Sequence, residues 1–220
     1  MKVFASILAS DHLRLGAEID RAVHAGVDGL HVDVMDGHYV NNIIFGPLVT
    51  REVRNHTTLP LHAHFMVEKP EKFLDEYCRM GVEWITVHYE NCKDLAQAID
   101  TIHRKGCKVV VAINLETPVF LLEPWLHLLD GVLIISVKVG IGGQKYNKAA
   151  TEKIKQLHEM AQIERSDLEI FVDGGVNLEN ICHIRDAGAT TAIIGTALFA
   201  ANDMDSQMRI IRKELDKKAC

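Results

Sequence analysis

One phrase recurs along this chain. Ala25-Gly26-Val27-Asp28-Gly29-Leu30-His31-Val32 returns as Met80-Gly81-Val82-Glu83-Trp84-Ile85-Thr86-Val87 and as Ala187-Gly188-Ala189-Thr190-Thr191-Ala192-Ile193-Ile194. Each copy reads as the end of a helix, a glycine turn and the start of a strand. Glycine just past a helix end takes the left-handed conformation that closes it. A helix feeding a strand, over and over, builds parallel pairs, because two parallel strands need a crossover between them.

The strands this predicts are short Val- and Ile-rich runs: Val3–Leu8, Gly29–Val34, Leu61–Met66, Trp84–His88, Lys108–Ile113, Gly131–Val137, Glu169–Asp173 and Thr191–Ile194. Most are apolar throughout rather than alternating, as strands buried on both faces are. Between them, Leu13–Ala25, Glu71–Met80, Asp94–Lys105 and Leu178–Ala187 are amphipathic stretches of helical length, each followed by glycine. Eight βα units in 220 residues predict an α/β protein of one domain, a (β/α)8 TIM barrel over residues 1–220. An open doubly wound sheet would carry its glycine loop after the first strand. Here the glycine-rich turns follow the sixth, seventh and eighth.

Composition excludes several functions. Apolar residues at 48% and charged residues at 25% suit a folded globular chain, and the net charge of −6 argues against a nucleic-acid partner. No apolar run reaches the roughly 18 residues of a membrane helix. The apolar N-terminus is soon followed by Asp11, His12 and Arg14, so it reads as a buried strand rather than a leader. Five widely spaced cysteines without a C-x-x-C pair predict reduced thiols and a cytoplasmic protein.

In a barrel of this kind, chemistry sits where the strands end. His31 and Asp33 are two apart on one strand and therefore share a face. A charged pair inside an apolar barrel is costly unless it binds a metal or is otherwise paired. His64 can join from the next strand and Asp173 from across the barrel. Two imidazoles and two carboxylates suit Zn, Mn or Fe(II). Any one of the twelve histidines is more simply a core or surface residue; four such groups at the strand ends of one barrel are harder to explain that way. Gly142-Gly143, Gly174-Gly175 and Gly195-Thr196 close three successive βα loops. Glycine there lets backbone amides approach an anion, which predicts a phosphate site.

These residues also resemble a known family. Ser6-Ile7-Leu8, His31-Val32-Asp33-Val34-Met35-Asp36-Gly37-His38, His64-Phe65-Met66-Val67, Thr86-Val87-His88, Val172-Asp173-Gly174-Gly175-Val176 and Gly195-Thr196-Ala197-Leu198-Phe199 are similar to the ribulose-phosphate 3-epimerases. The resemblance implies a metal-dependent 3-epimerase of a ketose phosphate, first of all ribulose 5-phosphate to xylulose 5-phosphate, working through a metal-stabilised enediolate. It implies one divalent metal (Zn, Fe(II), Mn or Co) on His31, Asp33, His64 and Asp173, with Asp33 and Asp173 as the acid/base pair. It further implies substrate contacts at Ser6, His64, Met35 and Met66. The phosphate would lie at Gly142, Gly143, Gly174, Gly175, Gly195 and Thr196. The partner implied is a small phosphorylated ketose, and the assembly a homo-oligomer, either a dimer or a dimer-based hexamer.

The loop after the sixth strand departs from the family. Where the family reads M-T-V-N-P-G-F-G-G-Q-x-F, this chain reads Ile135-Ser136-Val137-Lys138-Val139-Gly140-Ile141-Gly142-Gly143-Gln144-Lys145-Tyr146. Losing the proline predicts a looser lid over Lys138–Ile141, and Lys138 adds a charge near the mouth. Tyr39-Val40-Asn41-Asn42 also replaces F-V-P-N. These departures leave two alternatives: another ketose phosphate, such as allulose 6-phosphate, or a barrel that binds a phosphosugar without turning it over.

Overall fold

The computed structural model describes residues 1–217. The strands are β1 (Lys2–Ser6), β2 (Gly29–Asp36), β3 (Ile43–Ile44), β4 (Leu61–Met66), β5 (Trp84–His88), β6 (Lys108–Ile113), β7 (Gly131–Ile135), β8 (Glu169–Asp173) and β9 (Thr191–Ile194). The order β1-β9-β8-β7-β6-β5-β4-β2 closes through a β1–β2 pairing, so eight parallel strands form a barrel. β3 is a two-residue antiparallel addition on the end of β2, pairing Met35 with Ile44. Helices α1 (Leu15–His24), α2 (Pro47–His56), α3 (Leu74–Arg79), α4 (Leu95–Arg104), α5 (Ala149–Glu164), α6 (Ile181–Asp186), α7 (Thr196–Phe199) and α8 (Met204–Leu215) complete the fold.

Alternate residues of each strand serve different layers. Leu30, Val32 and Val34 of β2, with Val109 and Val111 of β6, belong to the large core that includes buried helical residues. Phe4, Trp84, Val110, Ala112, Leu133, Ile135, Phe171 and Ile193 form a second cluster inside the barrel. That inner plug leaves one end of the barrel for chemistry.

The repeated phrase has a structural job at the other end. The residue just before every second strand clamps the strand beside it. Asp28 accepts from the Val3 amide at 2.6 Å, Glu83 from Leu61 at 2.7 Å, Asp130 from Val109 at 2.9 Å, and the Thr190 hydroxyl from Ile170 at 2.8 Å. Arginines neutralise the three acids, Arg212 on Asp28, Arg54 on Glu83 and Arg165 on Asp130, and His103 Nε2 lies 2.9 Å from Asp130 Oδ2. These bonds tie neighbouring strands together where each pair begins.

Four elements differ from the expectations. β1 stops at Ser6, and Ile7–Ala9 form a 3-10 turn. β2 runs on to Asp36, and β7 ends at Ile135. After β6 the crossover is a 3-10 stretch, Val119–Leu128, in place of an α-helix, because Pro124 lies inside it and cannot donate. Among the cysteines, Cys78, Cys92 and Cys107 are free. Cys182 departs from the expected reduced state, being disulfide-bonded, and Cys220 lies outside the described residues. No helix among the described residues is long and apolar enough to cross a membrane.

Candidate active site

The register of β2 against β4 sets the site. His31 lies beside His62, Asp33 beside His64, and Met35 beside Met66. All six alternate with residues of the outer core. His31, Asp33 and His64 are at most 2% exposed. Met35 and Met66 are buried together with Val40 in a small apolar cluster at the strand ends.

Three polar atoms converge there. Asp33 Oδ1 lies 3.2 Å from His31 Nε2 and 3.1 Å from His64 Nδ1, and the two nitrogens are 3.3 Å apart. Asp173, at the end of β8, supplies a fourth ligand-type atom, and all four lie within 4.8 Å of one another. The donor set fits a divalent cation: tetrahedral zinc with bonds of 2.0–2.1 Å has ligand–ligand edges of about 3.3 Å. The second oxygen of Asp33 accepts from the Ser6 hydroxyl at 2.9 Å.

The two carboxyls are driven apart. Burial alone would raise Asp33, but the charges and hydrogen bonds of His31 and His64 outweigh it and hold Asp33 well below the usual carboxylate range. For Asp173 the lowering influences of His31, the Gly174 amide and His88 are outweighed. Burial, and then the negative charge of Asp33, push it up to about 6. Paired groups whose environments separate them in this way suit one acid and one base.

Above these groups a cavity of about 640 Å³ opens. Ser6, Asp33, Met35, His64, Met66 and Asp173 line its floor, and Gly142, Gly143, Gly174, Gly175, Gly195 and Thr196 line its wall. His31 lies behind the floor and does not line the cavity. The glycine wall is tightly built. Gly175 has φ +64, and a Cβ there would collide with the backbone nitrogen of Tyr146 and stand 2.7 Å from the Gln144 carbonyl. The Asn180 and Asn177 side-chain amides donate to the Gly175 carbonyl at 2.9 and 3.2 Å.

The lid is not left loose by the missing proline. The Gln144 amide donates to the carbonyls of Lys138 and Ile141, both at 2.7 Å. Gly140, at φ +83, turns the loop against Val40, where a Cβ would come within 2.6 Å of the valine. Val139 then packs on the methionine cluster. The Lys138 side chain is exposed at the rim.

Sequence reasoning missed an outer ring of polar groups. His62 Nδ1 lies 3.2 Å from His31 Nδ1, and its other nitrogen meets the Thr86 hydroxyl. His88 Nε2 lies 2.8 Å from His64 Nε2, while His88 Nδ1 faces the Tyr39 hydroxyl at 3.2 Å and Glu90 at 3.3 Å. Burial lowers His62 well below an ordinary imidazole and takes His88 to about 4. The signal was present: His62 precedes His64 by two, the same spacing that singled out His31 and Asp33.

The family model described as "Ribulose-phosphate 3 epimerase family" matches residues 2–199. Ribulose-phosphate 3-epimerase of Bacillus subtilis is 39% identical over 96% of this chain and 98% of its own length. The enzymes of that name from Aquifex aeolicus and Escherichia coli K12 are 36% and 34% identical, over 96% of this chain and 96% and 95% of theirs. Among solved structures, KGPDC from Streptococcus mutans superposes with a TM-score of 0.71 at 16% identity, over 97% of this chain and 96% of that one. Phosphoribosyl anthranilate isomerase from Thermus thermophilus does so with 0.67 at 15% identity, over 98% of each chain. At those identities the likeness is one of barrel fold.

Proposed function

Because the chain belongs to the ribulose-phosphate 3-epimerase family and is a carbohydrate epimerase of the isomerase class, we propose that it interconverts ribulose 5-phosphate and xylulose 5-phosphate by proton transfer between Asp33 and Asp173. The observation that carries this reading is the pair of buried carboxyls, one pushed down and one pushed up from the ordinary carboxylate range, on the floor of a glycine-walled cavity.

Inverting C3 requires a proton taken from one face and another returned to the opposite face. Asp33 reaches the floor from β2 and Asp173 from β8, with β1 and β9 between them around the barrel. In one direction the ionised Asp33 accepts the C3 proton, and Asp173, whose raised value keeps it the more readily protonated of the two, delivers a proton to the other face of the planar enediolate. The roles exchange in reverse. Ser6 fixes the second oxygen of Asp33, and so its orientation. Met35 and Met66 give the reacting carbon an apolar, water-poor surface. The glycine wall accommodates the phosphate and anchors the sugar away from the reacting carbon.

His31, His64 and one oxygen from each aspartate would hold a divalent metal ion. When bound, such an ion supplies a fixed positive charge opposite the oxyanion that develops at C2 as the C3 proton leaves. The same reading takes the protein as a cytoplasmic homo-oligomer, a dimer or dimer-based hexamer, as the family resemblance implies.

The test is direct. Metal-loaded protein is incubated with ribulose 5-phosphate, allulose 6-phosphate and unphosphorylated ribulose, and product formation is followed by proton NMR. We expect rapid conversion of ribulose 5-phosphate and little of the unphosphorylated sugar. Faster turnover of allulose 6-phosphate would reassign the substrate. No conversion of any of the three, with metal bound, would sink the proposal and leave a binding barrel.

A further inference from the structure

The four histidines inside the barrel form one continuous chain, and two of them face the cavity cluster only through the other two. His31 has both nitrogens engaged. Nε2 points to Asp33 and His64, and Nδ1 lies 3.2 Å from His62 Nδ1. His62 in turn has its Nε2 on the Thr86 hydroxyl. It is completely buried, and its ring packs against Phe171 with centroids 4.7 Å apart.

The hydrogen bonds allow one arrangement when His31 Nε2 and His64 Nδ1 are ligands. A ligating nitrogen carries no proton, so His31 is protonated on Nδ1 and donates to His62 Nδ1. His62 is then the tautomer with its proton on Nε2, donating to the Thr86 hydroxyl. A ligating histidine commonly gives its second N–H to an outer partner, which fixes the tautomer and the plane of the ring. That partner is commonly a carboxylate, a carbonyl or a water; here it is another imidazole. We propose that His62, held by Thr86, is the positioning residue for the metal-ligating face of His31.

The inference rests on the metal reading given above, and its test separates the two. His62→Leu keeps an apolar group of similar bulk between Phe4 and Phe171 but removes the acceptor. His62→Asn loses volume yet keeps an oxygen where Nδ1 stood. Thr86→Val is isosteric and removes only the hydroxyl that accepts from His62 Nε2. Zinc affinity of each apo-protein is measured by competition with a chromophoric chelator, and the cobalt(II) protein is examined by visible absorption.

We expect His62→Leu to lose about 10–100-fold in zinc affinity, with a shifted cobalt spectrum, and His62→Asn to stay within about threefold of wild type. Thr86→Val should weaken zinc binding in the same direction by a smaller factor. Equal affinity in all four proteins overturns the inference. So does a loss that follows side-chain volume, with His62→Asn worse than His62→Leu. If His62→Leu does not fold, Thr86→Val decides: a lowered affinity supports the role and an unchanged one refutes it. Wild-type protein that takes up neither zinc nor cobalt would remove the metal reading itself, and this inference with it.

Discussion

Glu90 offers a stability test that reaches the site through one histidine. Its Oε1 accepts from the Asn114 amide at 2.7 Å and from the Thr117 hydroxyl, and its Oε2 faces His88 Nδ1 at 3.3 Å. It thus staples the loop after β5 to the loop after β6. Burial pushes its carboxyl upward, but the hydrogen bonds from His88, Thr117 and the Asn114 amide outweigh that and bring it down from 4.5 to about 2. A carboxyl whose value is lower in the folded state stabilises the fold above its unfolded value and loses that contribution as pH falls. Unscreened, the shift corresponds to at most about 3 kcal/mol at pH 7 and about 1.4 kcal/mol at pH 3, and solvent around this rim residue reduces both. The side chain is 23% exposed, so solvent screens only part of this. Glu90→Gln keeps the shape and discards the charge. Urea unfolding of both proteins at several pH values from 7 to 3 should show a gap that is nearly constant down to about pH 5 and narrows below it. A gap of constant size would mean that the charge of Glu90 is not what stabilises these loops.

Three further outcomes follow from the site. Asp173→Asn should lower turnover by about 10²–10⁴-fold, the usual contribution of one acid/base group, while zinc-loaded protein still binds a ketose phosphate by calorimetry. Gly175→Ala forces a Cβ against the Tyr146 backbone at a left-handed position; we expect a cost of about 1–3 kcal/mol in thermal or urea melts and a raised KM for phosphorylated substrate. Exhaustive chelation should abolish epimerisation, and Zn, Fe(II), Mn or Co should restore it, as a coupled assay after dialysis would report.

Much of this was legible because the relevant signals are local. The helix–glycine–strand phrase encodes its own boundary, and three copies imply the rest of the barrel. Period-two spacing placed His31 and Asp33 on one face without knowledge of their neighbours. The pairing of Asp33 with His64 needed the register of β2 against β4, which no short stretch of sequence contains. For the same reason His62 and His88 were seen only as strand residues. The 3-10 crossover at Val119–Leu128 was hidden because its apolar content is high and a single internal proline decides its geometry. The bracing of the lid was also out of view: the Gln144 amide bonds the carbonyls of Lys138 and Ile141, contacts that the order of residues does not reveal.

The division of labour between Asp33 and Asp173 is tested most directly by the fate of the C3 hydrogen. Wild-type protein, metal-loaded, is given ribulose 5-phosphate in D2O and stopped at low conversion for NMR. With one carboxyl on each face, product should carry deuterium at C3 while recovered substrate keeps protium, and Asp33→Asn and Asp173→Asn should each lose product formation. Product that retains the original hydrogen, or epimerisation that survives both substitutions, would mean that these two carboxylates do not perform the inversion.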